Sequence, residues 1–345
     1  MDNEKYPNVS VIIINWNGWK DTIECLESLY QINYPNFEVI VVDNGSQDES
    51  LEKIRNYAMG KIKVKSEFFE YDSINKPLRI IECTKDESES IKFEKTIDST
   101  SKRLILIKNL ENYGFAEGNN IGMRYALNKL NSDYILLLNN DTVVEKDFLK
   151  EMVITGESNG NMGIIGPKIY YYNEPNVIWC IGGKIDWKFA RGLHVGINEV
   201  DEGQYNKIRE FDYISGSAFL IKKEVIEKIG FMDKTFFLYF EETDLALRAA
   251  KGGYKRVYTP GAKVWHKVSK SGGGITKPIG LYYITRNRWL FMKKWAKKSN
   301  YMFFVAYQAV GAIVLPIVLS IYYRNWGLFK AYYNGLLNGA FKSNS

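Results

Sequence analysis

Polar residues that follow a buried strand are the first candidates for chemistry in this sequence. The apolar run at residues 134–138 is typical of a strand buried on both faces, and it ends on Asn139, Asn140 and Asp141. Ligands of open parallel sheets bind beyond the carboxyl ends of the strands. Asp141 is therefore well placed to hold a metal ion, although an ordinary polar turn would leave the same pattern.

A second group of carboxylates opens a predicted helix. Glu241, Glu242 and Asp244 follow the aromatic run at residues 236–240. Negative charge in a first helical turn is stabilised by the helix dipole by about 0.3–1 kcal/mol per group. That effect alone accounts for the cluster, so a structural role and a chemical role both stay open at this point.

The sequence contains only two histidines, His194 and His266. His266 closes an apolar Val-Trp-His stretch, a pattern that suits a packed core histidine as well as a metal ligand. His194 lies in a hairpin-like stretch, and we assign it no function.

The elements that position these residues alternate between strands and helices. We predict strands at residues 9–14, 38–42, 104–107 and 134–138, and helices at 21–30, 120–130 and 147–157, with another helix opening at 47–50. Short connections in such an alternation predict βαβ units and a parallel sheet. Gly114 and Gly118 precede one of these helices, and they permit a close approach of the backbone.

Two regions depart from the alternation. Residues 61–102 are charged and have no clean period, so we predict an insertion at the edge or surface of the sheet, partly mobile. Short strands at residues 163–172, 177–185 and 192–197 predict a smaller mixed sheet. A further strand is expected at residues 213–221, where Gly216 leaves room for a ligand.

Composition sets further limits. A chain of 345 residues with 46% apolar residues can form one large domain or two. Cys25, Cys83 and Cys180 have no metal-site spacing, which favours a reduced cytosolic setting, and we see no signal-peptide pattern at the N-terminus. From Lys251 to the end the chain carries 16 Lys and Arg and no Asp or Glu, whereas the first 250 residues carry 30 basic and 40 acidic residues. This basic region predicts a surface for membranes, nucleic acid or diphosphate groups.

The C-terminal quarter combines this charge with apolar helices. Residues 301–323 contain no charged residue and are long enough to cross a bilayer of about 30 Å. Gln308, Gly311, Pro316 and positive charge on both flanks weaken that interpretation. Residues 329–341 repeat apolar side chains at helical spacing, which is typical of an in-plane amphipathic helix. We expect a tail that lies on, or dips into, the cytoplasmic leaflet; a single span and a buried helical pair are the alternatives.

Seven segments together resemble glycosyltransferase family 2, whose catalytic domain has the GT-A fold. In chain order they are residues 9–17, 41–48, 112–120, 136–141, 215–221, 237–248 and 264–266. The resemblance implies an α/β fold with a Rossmann-like, mostly parallel sheet flanked by helices and a smaller mixed sheet. It implies a catalytic domain at residues 1–270, including the insertion at 61–102. From the charge and apolar pattern of the tail, we expect a membrane-associated helical region at residues 271–345. The pattern is most similar to the rhamnosyltransferase-like branch, which assembles surface polysaccharides of the cell envelope.

The resemblance implies a site for a divalent cation and a nucleotide sugar. Residues 139–141 stand where the family has an Asp-x-Asp motif, so Asp141 is the one anionic ligand for Mg²⁺ or Mn²⁺. His266 is the second implied ligand. The implied nucleotide-sugar-binding residues are Asn15, Asp43, Gly114, Gly118, Asn119, Asn140 and Asp141. Asp43 can accept a hydrogen bond from a pyrimidine imide, which favours UDP or dTDP over CDP.

The resemblance also assigns acid–base and acceptor residues. Glu242 matches the family's catalytic base, which takes the proton of the acceptor hydroxyl while the oxygen attacks and inverts the anomeric carbon. Glu241 would raise the pKa of Glu242 by charge repulsion if both side chains face the site. Arg286 or Arg288 would pair with an acceptor phosphate. The implied acceptor is a glycan or a polyprenyl-diphosphate-linked sugar at the cytoplasmic face of the cell membrane.

Two other classes of protein compete with this prediction. A nucleotidyltransferase on a similar scaffold needs a Gly-rich, basic signature near the first strand, which residues 15–18 do not supply. A non-catalytic, membrane-associated module that binds nucleotide sugars has no need of Asp141, Glu242 and His266 together. The expected activity is therefore hexosyl transfer. Apolar residues interleaved with the basic charge favour lipid over nucleic acid as the partner of the tail.

Overall fold

A computed structural model of the chain describes residues 6–90, 102–268 and 274–341. A five-stranded parallel unit forms one half of its large sheet. In spatial order this unit consists of β5 (Tyr134–Asn139), β1 (Val9–Asn15), β2 (Phe37–Asp43), β4 (Arg103–Lys108) and β3 (Arg79–Thr84). The predicted parallel sheet is confirmed.

The other half of the sheet is mixed. β13 (Ala218–Lys222) lies antiparallel between β5 and β7 (Met162–Tyr171), and β8 (Glu174–Cys180) and β11 (Glu199–Val200) continue the sheet beyond β7. β14 (Lys255–His266) runs parallel to β7 and pairs with β6 (Thr142–Val144) and β12 (Arg209–Glu210). β9 (Gly183–Asp186) and β10 (Arg191–His194) form a separate ribbon. The predicted smaller mixed sheet is thus largely continuous with the main sheet, because β13 bonds to both halves.

Helices cover both faces of the sheet, since successive residues of the buried strands point to opposite sides. α1 (Trp19–Leu29), α2 (Ser50–Ala58) and α5 (Phe148–Glu157) pack on one face, and α4 (Gly114–Lys129), α6 (Lys223–Ile229) and α7 (Glu241–Lys251) pack on the other. The remaining helices are α3 (Lys85–Ser90), α8 (Pro278–Trp295), α9 (Lys298–Tyr322) and α10 (Gly327–Ala340). α4 begins six residues earlier than predicted.

The described part of the predicted insertion is more ordered than its composition indicates. It contributes the edge strand β3, whose mostly exposed side chains explain why the sequence shows no buried period there. It is fastened to α1 by a buried ion pair, in which Lys76 Nζ lies 3.0 Å from Glu27 Oε2. Tyr57 also donates to Glu27. Residues 91–101 of the predicted insertion lie outside the described residues.

The last three helices form a bundle. Gly335 and Gly339 of α10 let that helix approach the backbone of α8, since a Cβ at either position would lie 2.6 Å from a carbonyl oxygen of α8. α9 packs through Phe304, Gln308, Pro316 and Ser320, which are spaced along almost its whole length. Within the described residues, α9 is the one helix that is long and apolar enough to cross a membrane, judged by length and composition only.

Candidate functional site

The carboxyl ends of β1 and β2 place Asn15 and Asp43 side by side, both buried. Asn15 Nδ2 donates to Asp43 Oδ1 over 2.7 Å, and Asn15 Oδ1 accepts from Thr22 Oγ1 over 2.7 Å. The backbone N–H of Ser46 donates to Asp43 Oδ2 over 3.1 Å. The carboxylate of Asp43 is therefore held in a fixed orientation at this edge of the sheet.

Asp141 and His266 meet near the same edge. Asp141 follows β5 and His266 closes β14, and His266 Nε2 lies 3.1 Å from Asp141 Oδ1. Burial alone would raise the pKa of the Asp141 carboxyl, but the hydrogen bond and charge of His266 hold it below its ordinary value. Ser217 Oγ lies 3.4 Å from the other ring nitrogen of His266. We call Asn15, Asp43, Asp141 and His266 the strand-end cluster.

The strand-end cluster fits part of a divalent-cation site. A carboxylate suits hard cations such as Mn²⁺, and an imidazole is the commonest nitrogen ligand of protein-bound metals. The Nδ2 of the neighbouring Asn140 donates to Thr22 Oγ1 over 3.1 Å. In the part of the chain that the structure describes, no three His, Cys, Asp or Glu residues are grouped to hold a metal. The protein offers Asp141 and His266, so oxygens of a bound diphosphate would have to supply further ligands.

The predicted donor-binding glycines are explained by packing within the protein. Gly114 has φ +81°, and a Cβ there would lie 2.5 Å from the ring of Phe237. A Cβ at Gly118 would lie 3.2 Å from Ile14 Cδ1. Asn119 is buried and donates to a carbonyl of its own helix. The close approaches predicted at the two glycines are real, but neighbouring side chains make them, and these contacts do not require a donor.

Residues 215–217 connect the strand-end cluster with the second group of carboxylates. Ser217 contacts His266 on one side, and a Cβ at Gly216 would lie 3.5 Å from Glu242 Cγ on the other. Trp179 makes a second connection: its ring centroid lies 4.8 Å from that of His266 and 4.6 Å from that of His194. Neither Trp179 nor His194 belongs to a local motif, so the sequence alone does not indicate a function for either residue.

Glu242 and Glu241 open α7 in different surroundings. Glu242 lines a pocket, and burial raises its pKa. Glu241 is only 4% exposed, and burial, followed by the charge of Glu242, raises its pKa well above the ordinary range. Glu241 Oε2 has no hydrogen-bond partner among the described residues. The predicted repulsion therefore acts on Glu241, whereas burial is the main cause of the shift at Glu242.

The pocket beside Glu242 has a volume of about 400 Å³ and lies between the β9–β10 ribbon, the start of α7 and the C-terminal helices. We call it the helix-lined pocket. Its lining residues are Phe189, Ala190, Arg191, Gly192, His194, Tyr213, Tyr239, Phe240, Glu242, Thr243, Ile284, Arg288 and Tyr307. They come from segments far apart in the chain, including α8 and α9. Of these lining residues, only Glu242 and Arg288 are predicted as functional from the sequence.

The two arginines predicted to contact an acceptor phosphate differ in placement. Arg288 lines the helix-lined pocket and donates to the carbonyls of Phe189 and Ala190. Burial lowers its pKa, and no carboxylate of the described residues lies within ion-pair distance of it. Arg286 instead directs its guanidinium to the carbonyls of Thr235 and Phe236. Arg286 does not line the helix-lined pocket, so of the two arginines only Arg288 faces it.

Two family models match the chain. Glycosyl transferase family 2 matches residues 10–69, and glycosyltransferase like family 2 matches residues 74–291, which is more than half of the chain. The matches include the strand-end cluster and Glu242. The predicted family is thereby confirmed.

Curated relatives are similar over part of their length. The low-salt glycan biosynthesis hexosyltransferase Agl10 of Haloferax volcanii is 30% identical over 140 residues, which are 41% of this chain and 44% of that protein. The dTDP-rhamnosyl transferase RfbF of Shigella flexneri is 28% identical over 196 residues, which are 53% of this chain and 61% of that protein. The chain thus spans between two fifths and two thirds of the length of these relatives.

A solved structure supports the fold. The mannosyltransferase PcManGT of Pyrobaculum calidifontis, in complex with GDP-mannose and Mn²⁺, superposes with a TM-score of 0.55 at 16% identity. The alignment covers 97% of this chain and 88% of that one. The predicted GT-A architecture is confirmed.

Proposed function

This chain belongs to glycosyltransferase family 2, and we propose that it transfers a sugar from a nucleotide diphosphate to a hydroxyl group, with inversion of the anomeric carbon. One observation carries the proposal. Asp141 and His266 lie on one side of residues 215–217, and Glu242 lies on the other side in a pocket. A direct displacement needs the leaving diphosphate and the base on opposite sides of the reacting carbon, and this arrangement supplies both positions.

Asp43 is the proposed contact to the nucleotide base. Its carboxylate is held by Asn15 and by the amide of Ser46, so it is preorganised to accept a further hydrogen bond. Uracil and thymine present an imide N–H to such an acceptor, whereas cytosine does not. The proposed donors are therefore UDP-linked or dTDP-linked sugars, and the name of the relative RfbF, a dTDP-rhamnosyl transferase, is consistent with the second.

The proposed cofactor is Mn²⁺ or Mg²⁺, held by Asp141 and His266 together with the diphosphate of the donor. When bound, such a cation stabilises the negative charge that develops on the departing diphosphate. The presence of Mn²⁺ in the structure of PcManGT, a protein with the same fold, supports this assignment.

Glu242 is the proposed general base. The acceptor oxygen forms a bond to the anomeric carbon while the bond from that carbon to the diphosphate oxygen breaks, and the diphosphate keeps the electron pair. The hydroxyl proton passes to the Glu242 carboxylate. Because burial raises the pKa of Glu242, it is a stronger base than an exposed glutamate, which suits this task near neutral pH.

The acceptor is proposed to carry a phosphate close to the reacting sugar, as a polyprenyl-diphosphate-linked glycan does. Arg288 is a half-buried cation that faces the helix-lined pocket without a carboxylate partner in the described chain. A guanidinium can bind phosphate oxygens through two parallel hydrogen bonds. Tyr213, Tyr239 and Tyr307 add aromatic surface to the same pocket.

We also propose that α9 lies in the plane of the cytoplasmic leaflet. Its inner side packs on the protein at residues from 304 to 320, so the helix runs along the protein surface. Its outer side exposes large apolar residues, among them Val310, Ile313, Val314, Ile317, Val318 and Ile321. Lys297, Lys298 and Arg324 flank the helix and suit anionic lipid head groups. Tyr307 lies on α9 and lines the helix-lined pocket, so a lipid-linked acceptor would meet the pocket from this side.

Vesicle flotation tests the membrane proposal. We expect the full chain to float with vesicles that contain anionic lipid and the double variant Ile313→Glu, Ile317→Glu to stay in solution. Ile154→Glu is the matched control, since Ile154 is equally apolar and exposed but lies on α5. Equal flotation of both variants would contradict the proposal.

The reaction is tested in two steps. Thermal shifts with UDP, dTDP, GDP and CDP, with and without Mn²⁺, should show stabilisation by a pyrimidine diphosphate that depends on the metal. The matching nucleotide sugars are then supplied with N-acetylglucosamine linked through diphosphate to a short isoprenoid, and the product is analysed by mass spectrometry and NMR. An inverted glycosidic product supports the proposal. Nucleotide binding without transfer would favour a non-catalytic binding module, and stabilisation by GDP alone would contradict the role of Asp43.

A further inference from the structure

We propose that Asn287 of α8 is a positioning residue for the transfer reaction, because it holds the loop that presents Glu242. The inference rests on the proposed role of Glu242 as the base. It assigns part of the reaction to the C-terminal helices, outside the sheet and its flanking helices. The loop in question comprises residues 236–240, directly before α7.

The backbone of this loop is strained at three of its five residues. Phe237, Tyr239 and Phe240 have φ values of 62°, 70° and 76°, in the left-handed region that side chains other than glycine rarely adopt. Three such residues within four positions need support from their surroundings. Glu242 follows two residues after the last of them, so the loop sets the start and direction of α7.

Asn287 provides this support through a single side chain. Its Nδ2 lies 2.7, 2.8 and 2.9 Å from the carbonyl oxygens of Phe236, Leu238 and Tyr239. Its Oδ1 accepts a hydrogen bond of 2.9 Å from Arg286 Nε, which fixes the orientation of the amide. Asn287 is fully buried, and therefore water cannot replace these donors readily.

Other residues of α8 hold the same segment at both of its ends. The ring of Tyr283 stacks on Phe237 with a centroid distance of 4.7 Å and an interplanar angle of 9°. Lys294 Nζ lies 2.7 Å from Asp244 Oδ1 in the first turns of α7, and Trp295 donates to the same oxygen. α8 is therefore fixed relative to Glu242, and Asn287 lies in the middle of this contact.

The far side of the loop contacts the sheet half of the molecule. The carbonyl of Phe237 accepts from the backbone N–H groups of Phe115 and Ala116 at the start of α4. Asn287 does not bond to that carbonyl or to any residue of the strand-end cluster. We therefore expect loss of Asn287 to displace Glu242 while nucleotide binding is preserved.

The test compares Asn287→Ala with the control Asn338→Ala in the full chain. Asn338 lies in the same helical bundle and donates to Tyr282 Oη, away from the loop. With UDP-linked and dTDP-linked sugars and the isoprenoid-diphosphate acceptor, we expect Asn287→Ala to lower kcat by about tenfold to hundredfold, as for a misplaced catalytic group. The KM of the donor and the thermal shift by nucleotide with Mn²⁺ should stay within twofold of wild type. Hydrogen exchange at the amide of Leu238 should become faster in Asn287→Ala only.

Several results would overturn the inference that Asn287 positions Glu242. A wild-type kcat in folded Asn287→Ala would overturn it, as would equal losses of kcat in the two variants. Loss of nucleotide binding in parallel with kcat, or failure of Asn287→Ala to fold, would show that Asn287 has a general structural role and would also overturn it. If the wild-type chain transferred no sugar from any of these donors, the proposed function would fail first, and this result is distinguishable from the others.

Discussion

The strand-end cluster and the helix-lined pocket are built in opposite ways. Each residue of the strand-end cluster lies at or next to the end of one strand, and the register of the parallel sheet brings Asn15 next to Asp43. The helix-lined pocket draws on a ribbon, a left-handed loop and three helices, with lining residues that extend from Phe189 to Tyr307 in the chain. One site follows from local pattern and sheet topology, whereas the other depends on how distant segments dock.

The two kinds of construction suit different parts of the reaction. Strand ends repeat the same geometry whenever the sheet forms, so they suit the part of a substrate that is shared by many donors. A pocket assembled from loops and C-terminal helices can change its lining without disturbing the sheet. We infer that the helix-lined pocket selects the acceptor and that the strand-end cluster serves the nucleotide diphosphate.

Glu242→Gln should have the largest effect and should separate the two sites cleanly. Glutamine keeps the shape of the side chain but cannot accept the hydroxyl proton, so we expect kcat to fall by about a thousandfold. Nucleotide binding with Mn²⁺ should be unchanged, because Glu242 is not part of the strand-end cluster. Steady-state kinetics and thermal shifts on the same preparation measure both quantities.

Glu227→Gln is the control for that variant, since Glu227 is a surface residue of α6. The pH dependence of the wild type adds a second check. Burial raises the pKa of Glu242 above its ordinary 4.5. As the pH is lowered, kcat should therefore begin to fall at a higher pH than it would with an exposed glutamate as the base. Full activity of Glu242→Gln would show that Glu242 is not the general base.

Asp141→Asn should give the reverse pattern, with binding lost first. The amide is nearly the same size but removes the anionic ligand, so nucleotide binding in the presence of Mn²⁺ should weaken by about ten- to hundredfold, comparable to other lost metal-site interactions. Binding without Mn²⁺ should change little. Titration calorimetry with UDP or dTDP measures both states, and Asp147→Asn at the start of α5 is the control. Equal loss with and without the metal would argue that Asp141 has only a structural role.

Arg288→Met tests the helix-lined pocket with a smaller effect. Loss of a charge-assisted contact worth about 1.5–3 kcal/mol should raise the acceptor KM about ten- to hundredfold and leave the donor KM unchanged. Arg288→Lys should recover part of the loss, since it keeps the charge but not the bidentate geometry. Arg191→Met is the matched control, because Arg191 lines the same pocket but pairs with Asp186 and is largely exposed. Equal effects of Arg191→Met and Arg288→Met would contradict the proposal that Arg288 binds the acceptor phosphate.

The two regions also differ in how far the sequence predicts them. Apolar strand patterns and polar strand ends were enough to predict the parallel sheet and to single out Asp141, whereas Asp43 was identified through the family resemblance. Strand β3 was missed because an exposed edge strand carries charged side chains. The sequence left Arg286 and Arg288 as alternatives, because position in a helix does not tell which way a guanidinium points. Trp179 and His194 were missed since only tertiary packing joins them to the site.

Two buried glutamates extend the comparison beyond the sites themselves, one at the start of α7 beside the helix-lined pocket and one on α1 against the sheet. Glu241 has an unpartnered oxygen among the described residues, while Glu27 is buried with Lys76 as its ion-pair partner. Because burial raises the pKa of Glu241 above its ordinary 4.5, the folded chain binds that proton more tightly than the unfolded chain. Its contribution to stability is present below the unfolded pKa and is lost as the pH rises through the folded pKa.

Glu241→Gln should therefore raise the free energy of unfolding at pH 8, and the gain should shrink toward pH 5. Glu27→Gln should act in the opposite direction, with a loss of about 3–5 kcal/mol, since it leaves Lys76 buried without its partner. Urea unfolding of both variants at pH 5 and pH 8 gives the four values needed. A destabilised Glu241→Gln at both pH values would mean that the folded protein uses this carboxylate in its charged form, and Glu241 would then be stabilised by its surroundings as Glu27 is.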